Sequence, residues 1–201
     1  MKKLMILFAA ALLFAATSVQ AQRATATQDV SMTVILTNVL ELNLTGGNAI
    51  VFTFDTPAEW NSGMTAPDGG TTSTITINSS TDWNLTIESP DLTPAGGGNN
   101  MTPDNIGVYC ESTGSYTFGT EVTCSYTAVG SPLELENAAA ELIGNGTGNA
   151  GDVTNNAYTI NWECGTMNSP MNATSMLQHV ANGDFNADTF TSTVTLTLTS
   201  L

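Results

Sequence analysis

Three oxygen-bearing side chains stand at alternate positions near the end of the chain. Asp184, Asn186 and Asp188 lie in the stretch NGDFNAD, and this spacing matches the opening of an oxygen-rich calcium loop. A complete EF-hand loop would continue with glycine, where this chain has Thr189, and would end on a glutamate that this stretch lacks. We therefore treat the three residues as a calcium candidate, the only cofactor that the sequence suggests. The alternative is a polar turn before the last strand.

Trp60 and Trp83 are the aromatic side chains best suited to contact a ligand. Trp60 lies in a loop-like stretch rich in proline, glycine and aspartate (55–72), whereas Trp83 lies in the alternating stretch DWNLTI. Either indole would serve a glycan site if it lay exposed, but a tryptophan on a strand also fills a core well. His179 is the sole histidine, and its surroundings do not resemble a nucleophile elbow. The sequence contains no catalytic arrangement, so we expect no enzyme activity.

Three cysteines offer redox chemistry. Disulfides form in oxidising compartments, and the chain begins with an export signal, but three cysteines cannot all pair within one molecule. Cys110 and Cys124 flank the stretch YCESTGSYTFGTEVTC, which predicts a β-hairpin. We predict a disulfide between these two residues, with Cys164 left unpaired and buried. Zinc is not expected, because the sequence has no Cys-x-x-Cys pair.

Alternating apolar and polar residues extend over much of the chain, and this period of two predicts short β-strands. In the last stretch, Val194, Leu196 and Leu198 alternate with threonines, which predicts one face on a core and one face in solvent. The stretch STITINSSTDWNLTIESP (73–90) has a turn sequence between two alternating runs, which predicts a hairpin. Strands are also predicted at DVSMTV, LELNLT, AIVFTF, GVYCES, SYTFGTEVTCSYT and NAYTINWEC.

Short strands separated by turns, with LELENAAAELIG (133–144) as the only convincing helical stretch, are typical of a β-sandwich. We predict an all-β, antiparallel β-sandwich of immunoglobulin-like or pilin-like type with one short helical segment. Residues 1–21 are predicted to be a signal peptide and residues 22–201 a single domain. Residues 22–47 contain either an ordinary first strand or an N-terminal arm that is donated to a neighbouring sheet.

The leader MKKLMILFAAALLFAATSVQAQ combines two lysines, a short apolar run and a small-residue cleavage site after Ala21. Its removal leaves one arginine, no lysine and all 18 acidic residues. Because binding to phosphates or to anionic lipid requires Lys and Arg, we expect no nucleic acid partner and no membrane insertion. We predict an exported protein that is extracellular or at the cell surface, with the periplasm as the alternative.

Trp83-Asn84-Leu85, the ending TFTSTVTLTLT and the domain length together resemble two families of bacterial secreted β-proteins. The Trp-x-Leu triplet, which follows a strand and a turn, is similar to the first motif of WxL cell-surface domains. The ending is similar to the closing strand of those domains and of pilin-like spore coat U domains. Where WxL domains carry a second Trp-x-Leu, this chain reads Leu196-Thr197-Leu198. The resemblance implies a secreted β-sandwich that binds the cell wall or assembles at the cell surface.

These observations favour a non-enzymatic secreted surface or extracellular structural protein, such as a pilus or fibre subunit or an adhesion component. We expect self-association or binding to other cell-surface proteins, and cell-wall glycan is a further partner to consider. Two other classes fit parts of the pattern: a cell-wall or carbohydrate-binding module, and an outer-membrane β-barrel. Exposed aromatic residues on one sheet face would favour the module, whereas a lipid-facing band with aromatic girdles would favour the barrel.

Overall fold

The computed structural model describes residues 31–201. The predicted signal peptide lies outside the described residues, as does Arg23. Residues 31–39 form no helix or strand. The described part of the predicted first strand therefore belongs to neither sheet, and regular structure begins at Leu40.

Antiparallel strands account for most of the regular structure of the described chain, together with two short α-helices. This confirms the predicted all-β class and the sandwich-like arrangement of antiparallel sheets, but it corrects the number of helical segments from one to two. The strands are β1 (Leu40–Thr45), β2 (Ser73–Ser79), β3 (Trp83–Glu88), β4 (Thr93–Pro94), β5 (Ile106–Ser112), β6 (Val122–Thr123), β7 (Leu133–Glu134), β8 (Ala140–Asn145), β9 (Ala157–Cys164), β10 (Phe190–Thr191) and β11 (Thr195–Ser200). The helices are α1 (Pro57–Ser62) and α2 (Met176–Asn182).

Two sheets form the layers of the sandwich. The larger sheet has the strand order β1-β2-β9-β5-β7, and the smaller has the order β11-β3-β8-β6. Neighbouring strands are antiparallel throughout both sheets. β1 lies close to β11, so these two strands define one lateral side of the sandwich. β7 and β6 end the two sheets at the other side.

The core lies between the inward faces of the two sheets. Along β2 and β3 every second side chain is buried, because successive side chains of a strand point to opposite faces. Trp83 is fully buried and packs edge-on against Tyr158, with the ring centroids 6.2 Å apart. The largest fully buried apolar side chains are Trp83, Tyr158, Ile75, Ile77, Leu85, Ile87, Leu135, Leu142, Ile143, Ile160 and Val108.

Asn149 fastens the beginning of β3. Its side-chain oxygen accepts a hydrogen bond from the backbone N–H of Trp83 at 2.9 Å, and its amide donates to the Trp83 carbonyl at 2.8 Å. The Trp83 indole N–H donates to the backbone carbonyl of Asn149 at 2.9 Å, and the Asp82 carboxylate accepts the Asn149 N–H at 2.9 Å. Asn149 is fully buried, and these bonds satisfy polar groups that burial would otherwise make costly. The Gly- and Asn-rich stretch 144–156 is thereby held against β3.

Two predicted hairpins are in fact connections between the sheets. β2 and β3 are strands as predicted, but β2 pairs with β1 and β9, whereas β3 pairs with β11 and β8. β5 and β6, at the ends of the stretch that contains Cys110 and Cys124, also lie in different sheets. Alternation identifies a strand and its inward face, but it does not identify the partner strand. Both hairpin predictions were wrong for this reason.

The stretch AIVFTF (49–54) is not a strand, contrary to prediction. Phe52 and Phe54 pack inward against buried clusters, as the alternation indicates. The backbone, however, does not join a sheet, and the N–H of Thr53 donates to the carboxylate of Asp68 at 3.3 Å. The alternating pattern therefore indicates correctly which side chains point inward, but this segment pairs with no strand among the described residues.

The predicted helix at 133–144 is also wrong, because this stretch contains β7 and β8. β8 pairs with both β3 and β6, and Leu142 and Ile143 are buried in the core. Tertiary pairing here outweighs the weak intrinsic helix preference of an alanine-rich stretch.

The two helices lie side by side and begin with regular caps. The hydroxyl of Thr56 caps α1, and Glu59 completes a capping box with it. α2 ends at Gly183, whose φ of 78° is a left-handed conformation that glycine adopts without steric cost. Side chains of both helices pack against a smaller buried cluster, which contains Leu92, Met101, Cys164, Met176 and Phe185.

Candidate functional site

The lateral side formed by β1 and β11 has two strand edges that are unpaired within residues 31–201. Among these residues β1 pairs only with β2, and β11 pairs only with β3. Each strand is six residues long, and its outer edge presents backbone N–H and C=O groups to which another strand can hydrogen-bond. We call this side, β1 together with β11, the open side.

The side chains of the open side give these edges little protection. Natural proteins shield an edge strand with charged side chains, above all lysine, or with proline, a bulge or an inward-pointing charge. β11 (TLTLTS) has neither a charged residue nor a proline, and β1 (LELNLT) has Glu41 as its only charge. The amide of Asn78 on β2 donates to the Glu41 carboxylate at 2.9 Å, and this hydrogen bond lowers the pKa of Glu41. The leucines of both strands remain at least partly exposed.

The opposite lateral side is built differently. Its edge strands, β7 and β6, contain two residues each. The chain after β6 crosses to the larger sheet, where the carbonyl of Tyr126 accepts a hydrogen bond from the backbone N–H of Cys110 on β5 at 2.7 Å. β6 itself pairs with β8 in the smaller sheet, so residues 122–126 connect the two layers. We call this side, β6 and β7 with residues 124–126, the closed side.

An exposed apolar stretch precedes β1. Met32, Val34 and Leu36 are 83%, 71% and 90% exposed, and Ile35 between them is 81% exposed. Contiguous exposed apolar residues usually mark a surface that meets a partner. Residues 31–36 thus have the alternating composition of a strand, yet they belong to no strand of the described chain.

The predicted cysteine pair comes together at the closed side. Cys110 is buried on β5, Cys124 is half-buried after β6, and all three cysteines are thiols in the structure. The hydrogen bond between the two thiols and the burial of Cys110 raise the pKa of Cys110 well above its usual value, while the same hydrogen bond lowers the pKa of Cys124. Cys164 lies apart from them in the smaller cluster, where burial raises its pKa to about 12. The disulfide between Cys110 and Cys124 remains a prediction.

The carboxylates of the calcium candidate each have their own protein partner. Asp184 Oδ2 lies 2.8 Å from Nδ1 of His179. Asp188 Oδ2 accepts the backbone N–H of Gly96 at 2.7 Å, so it fastens the loop before β5 to the turn before β10. Asn186, between them, makes no hydrogen bond of its own in the described chain. Within residues 31–201, moreover, no group of three or more His, Cys, Asp and Glu side chains is placed to hold a metal ion. The turn therefore has a structural role, while calcium at these residues remains a prediction.

His179 is buried in the last turn of α2. Its ring stacks on Phe185 with the centroids 5.2 Å apart, and Asp184 orients it through Nδ1. Nε2 is buried and has no hydrogen-bond partner among the described residues. Through its contacts with Asp184 and Phe185, His179 joins the last turn of α2 to the turn that follows it.

Trp60 and Trp83, the two predicted ligand contacts, lie in opposite environments. Trp83 is fully buried in the core, so its indole has no surface left for a ligand. Trp60 is half-buried on α1, at a surface groove beside α2. Of the two predicted ligand contacts, only Trp60 has the exposure that a contact requires.

Glu163 on β9 is a buried acid that the sequence pattern does not reveal. It is fully buried, its Oε2 accepts a hydrogen bond from the Asn168 amide at 2.9 Å, and its Oε1 has no partner among the described residues. Burial raises the pKa of Glu163. In an alternating strand this position would face solvent, but Met171 and Pro132 approach Gly107, the residue opposite Glu163 on β5, and cover this part of the sheet.

Neither a protein-family model nor a curated protein matches this chain. In the described part of the chain, no helix has both the length and the apolar character needed to cross a membrane.

Proposed function

We propose that this protein is an exported, non-enzymatic structural subunit that assembles at the cell surface by strand addition at its open side. The observation that carries the proposal is the pair of six-residue edges of β1 and β11, which together carry a single charged side chain, Glu41. Added strands gain affinity from main-chain hydrogen bonds and specificity from alternate side chains. Edges of this kind are normally suppressed in proteins that remain monomeric.

The exposed stretch 31–36 of a neighbouring copy is the strand that we propose to be added. Met32, Val34 and Leu36 alternate in it with the same period as the apolar residues of β11. If the stretch pairs with β11, its apolar side chains cover the half-exposed leucines of that strand. Each such side chain contributes roughly 1.5–3 kcal/mol when it becomes fully buried.

The negative charge of the chain should make this assembly depend on the salt concentration. All 18 acidic residues belong to the mature chain, which has a single arginine, so subunits repel one another at neutral pH. Salt screens charges that are separated by more than about 10 Å at 0.1 M. We therefore expect assembly to become faster as salt is added, which is the opposite of the response of an interface made of ion pairs.

Electron microscopy and size-exclusion chromatography of the purified mature chain test the proposal. We expect filaments or higher oligomers whose amount rises with protein concentration. Val34→Asp should abolish them without changing the melting temperature, because Val34 is exposed in the subunit and becomes buried only in the assembly. Thr33→Asp is the matched control: it adds the same charge on the opposite face of the stretch and should leave most of the assembly intact.

Two results would contradict the proposal. One is a mature chain that stays monomeric at every salt and protein concentration. The other is a Val34→Asp variant that assembles as well as the parent chain.

A further inference from the structure

A groove lined by residues of both helices lies on the described surface, and strand addition does not use it. It has a volume of about 420 Å³, within the range of roughly 300–1,000 Å³ typical of small-molecule sites. Pro57, Leu177 and Val180 form apolar walls, the indole of Trp60 lies among them, and the carboxylate of Asp55 stands at the rim. The site therefore combines an aromatic surface with a hydrogen-bond acceptor.

The Trp60 indole is held in a fixed orientation. Its Nε1–H donates to the backbone carbonyl of Phe54 at 3.0 Å, and its ring packs against the Phe54 ring with the centroids 5.8 Å apart. The side chain also packs against the smaller buried cluster, and its remaining surface faces the groove. An aromatic ring that is already immobilised loses little conformational entropy when a ligand stacks on it.

The charges around the groove restrict what can bind. The described residues include neither lysine nor arginine, and Asp55 adds a negative charge at the rim. A sulfated, phosphorylated or uronic acid ligand would therefore meet repulsion and find no cationic partner. A purely apolar ligand would leave the rim carboxylate desolvated without a donor.

We propose that this groove binds a neutral hexopyranose unit of a glycan. A pyranose ring has apolar C–H faces, which pack on an indole and on aliphatic walls, and it has hydroxyl groups at its edge, which donate to the Asp55 carboxylate. An organic cation is the competing ligand, because an indole and a carboxylate would attract it as well. The groove is lined by residues of α1 and α2 and by the adjoining Asp55, Thr56 and Ala187. None of these residues belongs to the open side, so the inference does not depend on strand addition.

Titration of the mature protein with neutral oligosaccharides, followed by tryptophan fluorescence and calorimetry, tests the inference. Cello-, chito- and manno-oligosaccharides are the probes, and oligogalacturonate is the anionic comparison. We expect at least one neutral probe to bind with a dissociation constant below roughly 10 mM and the anionic probe not to bind.

Variants locate the site. Trp60→Ala should weaken binding about tenfold or more, and Asp55→Asn should weaken it less. Because Trp60→Ala also removes a packed ring, Leu177→Ala provides a second variant at an exposed wall residue, where folding is safe. Val153→Ala, an exposed apolar residue away from the groove, is the matched control and should bind like the parent.

Four results would overturn the inference: no neutral probe binds, the anionic probe binds equally well, an organic cation such as choline binds more tightly than every neutral probe, or binding survives unchanged in folded Trp60→Ala and Leu177→Ala. Filament formation should be the same in these variants as in the parent, so the outcome is separable from that of the assembly proposal.

Discussion

The open and closed sides of the sandwich differ in how well their edge strands are protected from pairing with a further strand. On the closed side the last strands contain two residues each, and residues 122–126 cross from one sheet to the other. On the open side the last strands contain six residues each and carry no lysine, proline or crossing segment. The closed side is thus protected from pairing with a further strand, whereas the backbone groups of the open side stay available for it.

The two sides differ in strand length and in the path of the chain, and not only in amino-acid composition. Residues 22–201 contain no lysine with which to protect an edge on either side. Short strands and a crossing segment supply the protection at the closed side. The open side is therefore where the proposed strand addition can take place.

Removal of β11 should have the largest effect. Truncation before Phe190 exposes the whole length of β3, whose inward residues are core residues, so we expect aggregation or no folded product. Deletion of residues 22–36 is the control and should leave the melting temperature unchanged, because the described part of that stretch is in no strand. Expression yield and circular dichroism melts measure both. A truncated chain that melts like the parent would show that β11 is dispensable for the fold.

Oxidation of the closed side should have the next largest effect. A disulfide between Cys110 and Cys124 closes a loop of about 15 residues and should stabilise the chain by roughly 3 kcal/mol. Non-reducing peptide mapping should find this pair linked and Cys164 free, and a reductant should lower the melting temperature. Cys164→Ser serves as the control, since it leaves the predicted bond possible. Detection of Cys164 in a disulfide would rule out the predicted pairing.

Glu163 makes the stability of the sheet near the closed side depend on pH. Because burial raises its pKa in the folded chain, the folded state binds the proton more tightly than the unfolded state does. Its contribution is fully present below the usual carboxyl pKa and is lost as the pH rises through the raised value. Glu163→Gln, which imitates the neutral acid, should be more stable at neutral pH by about 1–2 kcal/mol.

Melts of the parent and of Glu163→Gln from acidic to neutral pH measure this effect. The difference between them should grow as the pH rises and should nearly vanish in acid. Glu111→Gln, an exposed change on β5, is the control and should keep the pH profile of the parent. A Glu163→Gln profile parallel to that of the parent at all pH values would contradict the assignment.

The smallest effect on stability should come from a lysine placed on each side in turn. Thr197→Lys on β11 and Thr123→Lys on β6 both replace exposed threonines, and each should change the free energy of unfolding by less than about 0.5 kcal/mol. Their effects on assembly should differ. Thr197→Lys protects an open edge and should reduce the formation of oligomers, whereas Thr123→Lys should not. Equal oligomer formation by the two variants would remove the functional distinction between the sides.

The strands were predictable from the sequence to the extent that their side chains alternate. β2, β3, β5, β9 and β11 appear where the pattern indicates, and Leu196 and Leu198 face the core from β11 while its threonines face outward. The pairing of strands was not predictable, because partner choice depends on contacts between residues far apart in the chain. The helix predicted at 133–144 was wrong for a related reason. β8 hydrogen-bonds to β3, which is distant in the sequence, and a local pattern does not reveal such pairing.

The candidate sites were predictable in part. Cys110 and Cys124 lie close together, although they do not belong to one hairpin as predicted. They approach each other because the segment after β6 crosses to β5. The burial of Trp83 followed from its position in an alternating run. The helix that presents Trp60 was not foreseen, although Thr56, Pro57 and Glu59 together form a helix-start signal. The buried state of Glu163 had no local signal, since distant residues cover it.

The attachment of Asn149 to Trp83 has a consequence for anyone who wishes to modify this protein. The stretch 144–156 looks like a natural place for an epitope tag or a peptide insertion, because it is rich in glycine and asparagine. Its backbone and one of its side chains, however, act as the partner of the first residue of β3. An insertion there would displace that partner and leave buried groups unbonded. The tip at Gly97 and Gly98, which follows the Gly96 attachment and where a side chain would meet almost nothing in exposed chain, is the better choice for a display site.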